Sequence, residues 1–165
     1  MTKKGNKTTG KGNGGQTAKT TRLSNLVCPP GMKLEQWQTL LRRQAAQKEN
    51  FGIRRETDTD ESGCYRLFSP LSHRLYKIIY RGESSPWNYC SCMDFKSNQL
   101  GTCKHIEAVK LWLEENKLRP DISLPPYTAV YLSYVKGRKV CIRIGSEKRD
   151  DFKRLAAEYF SADNV

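Results

Sequence analysis

Apolar positions along the chain follow first a helical period and then a strand period. In MKLEQWQTLLRRQAAQKEN, Leu34, Trp37, Leu41 and Ala45 fall at i, i+3, i+7 and i+11. That stripe predicts an amphipathic helix packed by one face onto the rest of the domain. Pro29, Pro30 and Gly31 ahead of it supply a turn. Arg42, Arg43 and Lys48 lie off the stripe, and Arg42 and Arg43 are candidate DNA contacts. From Phe51 to Cys92 the pattern changes: FGIRR, CYRLFS and RLYKIIY are rich in β-branched and aromatic residues. Tyr65 and Leu67 alternate with Arg66 and Phe68. Leu75 and Ile79 share one face, and Tyr76, Ile78 and Tyr80 the other. The spacers TDTDESG and RGESSP carry turn residues. The reading is a small antiparallel meander with WNYC as its next strand. Asp58 and Asp60 belong to an exposed acidic hairpin, since the Gly and the terminal Glu of an EF-hand loop are missing.

After residue 105 the helical period returns. Ile106, Val109 and Leu113 form a stripe with Trp112 beside it, and Pro120 stops the helix. LPPY reads as a linker. AVYLSY and KVCIRI then read as two strands around Lys136 and Gly137, with Val140, Ile142 and Ile144 alternating. In SEKRDDFKRLAAEYF, Ser146 is the expected N-cap. Phe152, Leu155, Ala156, Tyr159 and Phe160 make the apolar face. The fold class is therefore α+β: an N-terminal helix over 23–50, the β-rich part over 51–120, and a C-terminal hairpin and helix over 121–165.

Composition adds a constraint. Hydrophobic residues are 37% of 165, below the usual ~45–50%. Such a thin core calls for a metal, a disulfide or a partner. Part of the deficit is residues 1–22, which hold six Lys or Arg and no acid and are expected to be a disordered basic tail. Net charge is +12; of 29 Lys and Arg, 23 remain outside that tail against 17 acids. A positive excess of this kind favours polyanions, nucleic acid above all. The apolar runs are too short for a membrane span, and there is no secretory h-region. The expected address is cytoplasmic, where cysteines serve as ligands more often than as disulfides.

The chemistry concentrates in YCSCMDFKSNQLGTCKHIEAV, where Cys90, Cys92, Cys103 and His105 offer three thiols and an imidazole. Zinc(II) favours those donors, four at a time and tetrahedral. On a straight strand, residues i and i+2 are ~6.5–7 Å apart. Two sulfurs on one zinc stand within about 3.8 Å. The chain must therefore bend at Ser91, with Cys90 and Cys92 at a strand end or a turn. In a helix, i and i+2 are ~200° apart, so Cys103 belongs to a helix entry and His105 to its first turn. Gly101 supplies an unusual dihedral and Thr102 a possible N-cap. The helix N-terminus would favour thiolate at Cys103.

Three other readings account for less. A Cys90–Cys92 disulfide closes a strained ring. An iron–sulfur cluster normally takes four cysteines. A Cys–His nucleophile pair leaves two thiols without a role. Four protein ligands leave zinc no open position for water, so the metal is expected to be one structural Zn2+ and the chain not an enzyme. Cys28, Cys64 and Cys141 read as small buried residues, and His73 as a surface-strand residue without function.

CSCMDFKSNQLGTCKHI resembles the SWIM zinc finger, Cys-x-Cys-x(n)-Cys-x-His. Asp94, Phe95, Asn98, Leu100, Gly101, Thr102, Lys104 and Ile106 resemble the version that precedes the motor in bacterial Swi/Snf-type helicases. The likeness extends to the helix with LEQWQ and LRRQ, the β stretch, and RIG…LAAEYF, about residues 30–165. It implies a SWIM zinc-binding domain over 51–120, zinc at Cys90, Cys92, Cys103 and His105, and an accessory role in binding DNA or a helicase-type protein. It carries over no ATPase activity, because the chain has no GxxxxGK[ST] phosphate loop.

Around the metal, Lys104 sits between two ligands and Lys96 lies in the loop joining the pairs; Lys77, Arg81 and Lys110 are expected to ring the same face. Phosphate contacts from such groups give affinity without sequence preference. Tyr89 and Phe95 either pack around the site or stack on bases. Asp94 is expected to accept a hydrogen bond from a loop amide or from the His105 ring. Docking onto a protein without nucleic-acid contact is the alternative function.

Overall fold

The structure, a computed structural model, describes residues 22–58, 62–133 and 138–161. Residues 1–21 of the expected 1–22 tail, Asp60, and the Lys136–Gly137 turn lie outside the described residues.

The elements run α1 (Leu34–Ala46), β1 (Gly52–Arg55), β2 (Cys64–Ser69), β3 (Arg74–Ile79), β4 (Tyr89–Cys90), α2 (Met93–Asn98), α3 (Lys104–Glu115), β5 (Ala129–Ser133), β6 (Lys139–Arg143) and α4 (Arg149–Tyr159). β1 to β4 form one antiparallel meander in sequence order, and β5 and β6 form a separate hairpin. The architecture is α+β, and the six strands read from the sequence, four in the meander and two in the hairpin, all pair.

Register explains the core. Tyr65 pairs with Ile78 and Leu67 with Tyr76. These positions point to one face, where α3 covers them. The α3 stripe is the expected one, with Ile106, Val109 and Leu113 buried and Trp112 packed at the edge. α1 lies on the other side of α3, so α3 is sandwiched between a helix and a sheet. The α1 stripe itself is rotated from the expected one: Trp37 and Ala46 are buried, whereas Leu34 and Ala45 are exposed. The segment before α1 lies along it. The Trp37 indole donates to the Ser24 carbonyl at 3.0 Å, and Gln44 bonds both backbone groups of Leu23.

Two predicted helix boundaries move. α3 ends before Pro120 is reached. Lys117 takes a left-handed φ of 54°, its N–H bonds the Glu114 carbonyl, and the Leu118 N–H bonds that of Leu113. This is a Schellman stop. α4 starts at Arg149 after Lys148 in left-handed backbone, not after a Ser146 cap. Ser146 and Glu147 instead donate backbone bonds to Pro125 and Pro126, which tie the LPPY segment to the chain after β6. Gly145 is needed there, because a Cβ would sit 2.4 Å from the Pro126 carbonyl oxygen. His73 lies in the β2–β3 turn rather than on a strand, with φ 52°.

Candidate metal centre

The centre forms where β4 gives way to two helices. β3 holds the approach on both sides: Ser91 N–H donates to the Lys77 carbonyl, and the Lys77 N–H donates to Ser91 Oγ. The chain turns at Ser91, as the spacing demanded. Cys90 ends β4, while Cys92 becomes the N-cap of α2 in extended backbone. Its sulfur accepts the Phe95 N–H at 3.4 Å. The segment between the two ligand pairs is thus largely the short helix α2, which the sequence reading treated as loop. α2 ends at Gln99 in left-handed backbone, and Gly101, φ 68°, turns the chain back. Cys103, rather than Thr102, is the N-cap of α3, and His105 stands in its first turn.

Together these turns bring four ligand atoms, from Cys90, Cys92, Cys103 and His105, within 4.8 Å of one another, all four residues buried. Cys90 Sγ lies 3.8 Å from His105 Nδ1. Tetrahedral zinc with thiolates at ~2.3 Å and imidazole at ~2.0–2.1 Å sets its ligands about 3.5–3.8 Å apart. The donor set and its spacing therefore fit one metal ion. The imidazole is held by aromatics: Tyr76 stacks on it at 4.0 Å, and Phe51 meets it edge-on at 5.7 Å. Its Nε2 is buried without a hydrogen-bond partner among the described residues.

Crowding decides where charge sits among the sulfurs. Hydrogen bonds from Cys103 and then Cys90 pull the Cys92 thiol far down. The bond from Cys103 lowers Cys90, but the bond to Cys92 and burial outweigh it and push Cys90 up to about 12. Cys103 is raised by its bonds to Cys90 and Cys92 and by burial. Thiols this close compete for protons, and ligation requires thiolates, so metal uptake here releases protons.

The surrounding charges are mostly internal. Asp94 accepts two bonds from Arg42, Nε to Oδ2 at 3.0 Å and Nη2 to Oδ1 at 2.7 Å, and a third from Asn98 at 3.1 Å. The Asn98 bond comes from a side-chain amide of the segment expected to be loop, while the His105 ring is not among these partners. Arg42 thus ties α1 to α2. Lys104 points away from the ligands to the buried carboxylate of Glu49, Nζ to Oε2 2.7 Å. Lys110 is held by Glu83 at 2.6 Å and Glu107 at 3.1 Å. Burial works against the Lys110 ammonium, yet those two carboxylates raise its pKa above the ordinary lysine value. Arg81 is buried and donates to the Trp87 carbonyl at 3.1 Å. Lys77 faces the outer side of the sheet, opposite α3, and Lys96 is exposed on α2. Lys77, Arg81 and Lys110 therefore do not ring one face. Tyr89 and Phe95 pack edge to face at 6.0 Å. Cys64 is buried as expected, whereas Cys28 and Cys141 are only partly covered.

The sequence reading missed Glu107. It is 1% exposed in the first turn of α3. Thr102 Oγ1 donates to it at 2.7 Å, Lys110 pairs with it, and Arg43 lies 3.6 Å from its other oxygen. Its signal was its setting, an acid flanked by Ile106, Ala108 and Val109 in an otherwise apolar turn.

No helix of the described residues is long and apolar enough to cross a membrane. Comparison of the chain with family models, with curated proteins and with solved structures gives no match.

Proposed function

We propose that the chain is a SWIM-type module built on one structural zinc ion, serving as a nucleic-acid-binding accessory, for DNA, to a helicase-type motor. The observation that carries the zinc reading is the convergence of Cys90, Cys92, Cys103 and His105 into one buried cluster. Bound there, zinc supplies a cross-link between the sheet edge and α3 in place of core volume. All four positions of a tetrahedral ion are taken by the protein, which leaves the module a binding role rather than a catalytic one. The SWIM reading is supported by the cysteine and histidine spacing and the filler between them, and the DNA reading by the net charge of +12. The proposed address is the cytoplasm, where thiols stay reduced and free to ligate.

Docking onto a protein is the second reading, and one observation favours it. The C-terminal hairpin and helix expose Val130, Leu132, Val140, Leu155 and Tyr159, more apolar surface than a solvated unit needs.

Metal analysis of the purified protein beside Cys103→Ser tests the zinc. One zinc per chain, lost in the variant, is the expected result; a folded, metal-free wild type defeats it. Gel shifts across a salt series test the nucleic acid. Affinity should fall linearly in log–log form. An unshifted DNA at low salt moves the reading to docking.

A further inference from the structure

The outer face of the four-stranded sheet is not used by the metal centre, and its register sorts it into rows. Gly52 pairs with Phe68, and Phe68 with Leu75, so these three stand in one line across the strands. The next line facing the same way is Arg54, Arg66 and Lys77. Neighbouring strands are ~4.8 Å apart, which puts three cationic stems within about 10 Å. Like charges placed directly opposite oppose sheet pairing. Here one carboxylate, Glu56, serves two of them, bonding Arg66 at 2.9 Å and Arg54 at 3.3 Å. Arg54 and Arg66 against the one carboxylate keep a positive excess and stay open to solvent, 76% and 43% exposed. Beside it Phe68 is 41% and Leu75 69% exposed. Gly52 has no side chain to cover the Phe68 ring, and an open depression runs between them and Arg66.

We propose that this face binds single-stranded DNA, with Arg54 and Arg66 on phosphates and Phe68 stacked on a base. The proposal rests on the nucleic-acid reading above and gives that reading a surface. Charge complementarity selects a polyanion. The flat face selects a single strand: the major groove of a duplex admits a helix or a two-stranded ribbon, and its paired bases leave an aromatic nothing to stack on. Sheet faces with exposed aromatics suit splayed bases. The strand is DNA under the function proposed above; a 2′-hydroxyl would find donors and an acceptor among Arg54, Arg66 and Glu56, so oligo(U) is the discriminating control. Phe68 and Leu75 offer an apolar wall to the sugar.

Fluorescence anisotropy of the full zinc-loaded chain with labelled oligo(dT) tests this, against the matching duplex and oligo(U). Oligo(dT) should bind more tightly than both. Phe68→Ala should weaken it about tenfold, the usual scale for one lost base stack. Arg54→Gln combined with Arg66→Gln should flatten the log–log salt slope by about 1.4, two phosphates on a single strand. Arg154→Gln, on α4 and paired with Asp151, should change neither. Zinc content equal to wild type certifies each variant as folded. If the wild type binds oligo(dT) but all variants match it, this surface is the wrong one and the nucleic-acid reading survives. If oligo(U) binds as tightly as oligo(dT), the DNA assignment is overturned. If nothing binds at low salt, both fall.

Discussion

α3 and α4 are helices of nearly equal length, 12 and 11 residues, each with an apolar stripe legible in the sequence. They end in different states. α3 buries the stripe and more, including His105, Glu107 and Ala108. α4 buries Ala156 and leaves Leu155 and Tyr159 exposed. The difference lies in the layers. α3 sits between the sheet and α1, and two ligands of the cluster hold its first turn. α4 follows a two-stranded hairpin whose Val130, Leu132 and Val140 are themselves exposed. A stripe thus states what a helix is able to bury; a second layer, here the sheet on one side and α1 on the other, decides what it does bury.

The strongest way to break that contrast is to disable the Cys90–Cys92–Cys103–His105 cluster. Structural zinc contributes an apparent ~10–16 kcal/mol in small finger domains, comparable to the ~5–15 kcal/mol of a whole domain's stability. Cys103→Ser, or chelation of the wild type, should therefore collapse amide dispersion across β1 to α3. The resonances of β5, β6 and α4 should keep theirs. If both sets vanish together, the two regions are one cooperative unit and the contrast is only one of exposure.

The same substitution in each helix sharpens it. Leu113 is buried and Leu155 exposed. Leu113→Ala should cost about 2–5 kcal/mol in urea unfolding, since it removes a buried side chain and leaves a cavity. Leu155→Ala should stay within about 0.5 kcal/mol. Equal costs mean that α4 is covered in solution.

What the sequence disclosed follows the same line. The metal cluster was legible because ligand spacing is a local constraint: Cys90 and Cys92 force a bend, and Cys103 and His105 force a helix entry. The meander was legible from alternation. The details that failed are those fixed by distant partners. Ala46 replaces Ala45 in the α1 face because α3 sets the rotation. α2 was invisible because MDFKSN is short and rich in residues that prefer caps and turns, and its N-cap is a ligand residue. The partner of Asp94 stands 52 residues away, and nothing local points from Asp94 to Arg42. Glu107 looks like a solvent-facing acid until α1 is laid over it with Arg43.

A smaller effect tests how the metal region joins α1 to the sheet. Glu49, after α1, accepts from Ser69 Oγ at the end of β2 and from Lys104 at the start of α3. Burial alone would raise its pKa, but the Lys104 and Ser69 bonds hold it below the ordinary 4.5. A depressed carboxylate stabilises the fold at pH values above the unfolded-state pKa, and that contribution is lost as pH falls through the folded-state value. Glu49→Gln should cost about 1–2 kcal/mol at neutral pH, because it leaves Lys104 without its counter-charge. The gap should narrow as pH falls from 4.5 through the depressed folded-state value. A gap independent of pH removes charge from the explanation.

The smallest effect is the one that separates an internal role from an external one. Arg42 grips Asp94 with two bonds, its side chain 17% exposed and that of Asp94 43%. Burial pushes the Asp94 carboxyl up, and the Arg42 bonds bring it below its ordinary value. Solvent reaches Asp94 and screens the pair, so a coupling of about 0.5–1 kcal/mol is expected, at the upper end for exposed pairs because the fork is bidentate. A double-mutant cycle of Arg42→Ala and Asp94→Asn reads that number directly. The pair also fixes the turn of α2 that begins at Cys92, so each single variant should release zinc to a chelator faster than wild type and the double variant no faster than either. The same arginine is a candidate DNA contact by sequence. A phosphate contact would behave otherwise: Arg42→Ala alone would flatten the salt dependence of binding while Asp94→Asn would leave it alone or steepen it. Coupling near zero with a flattened slope would reassign Arg42 to the ligand and leave α2 held by its capping bonds and the metal alone.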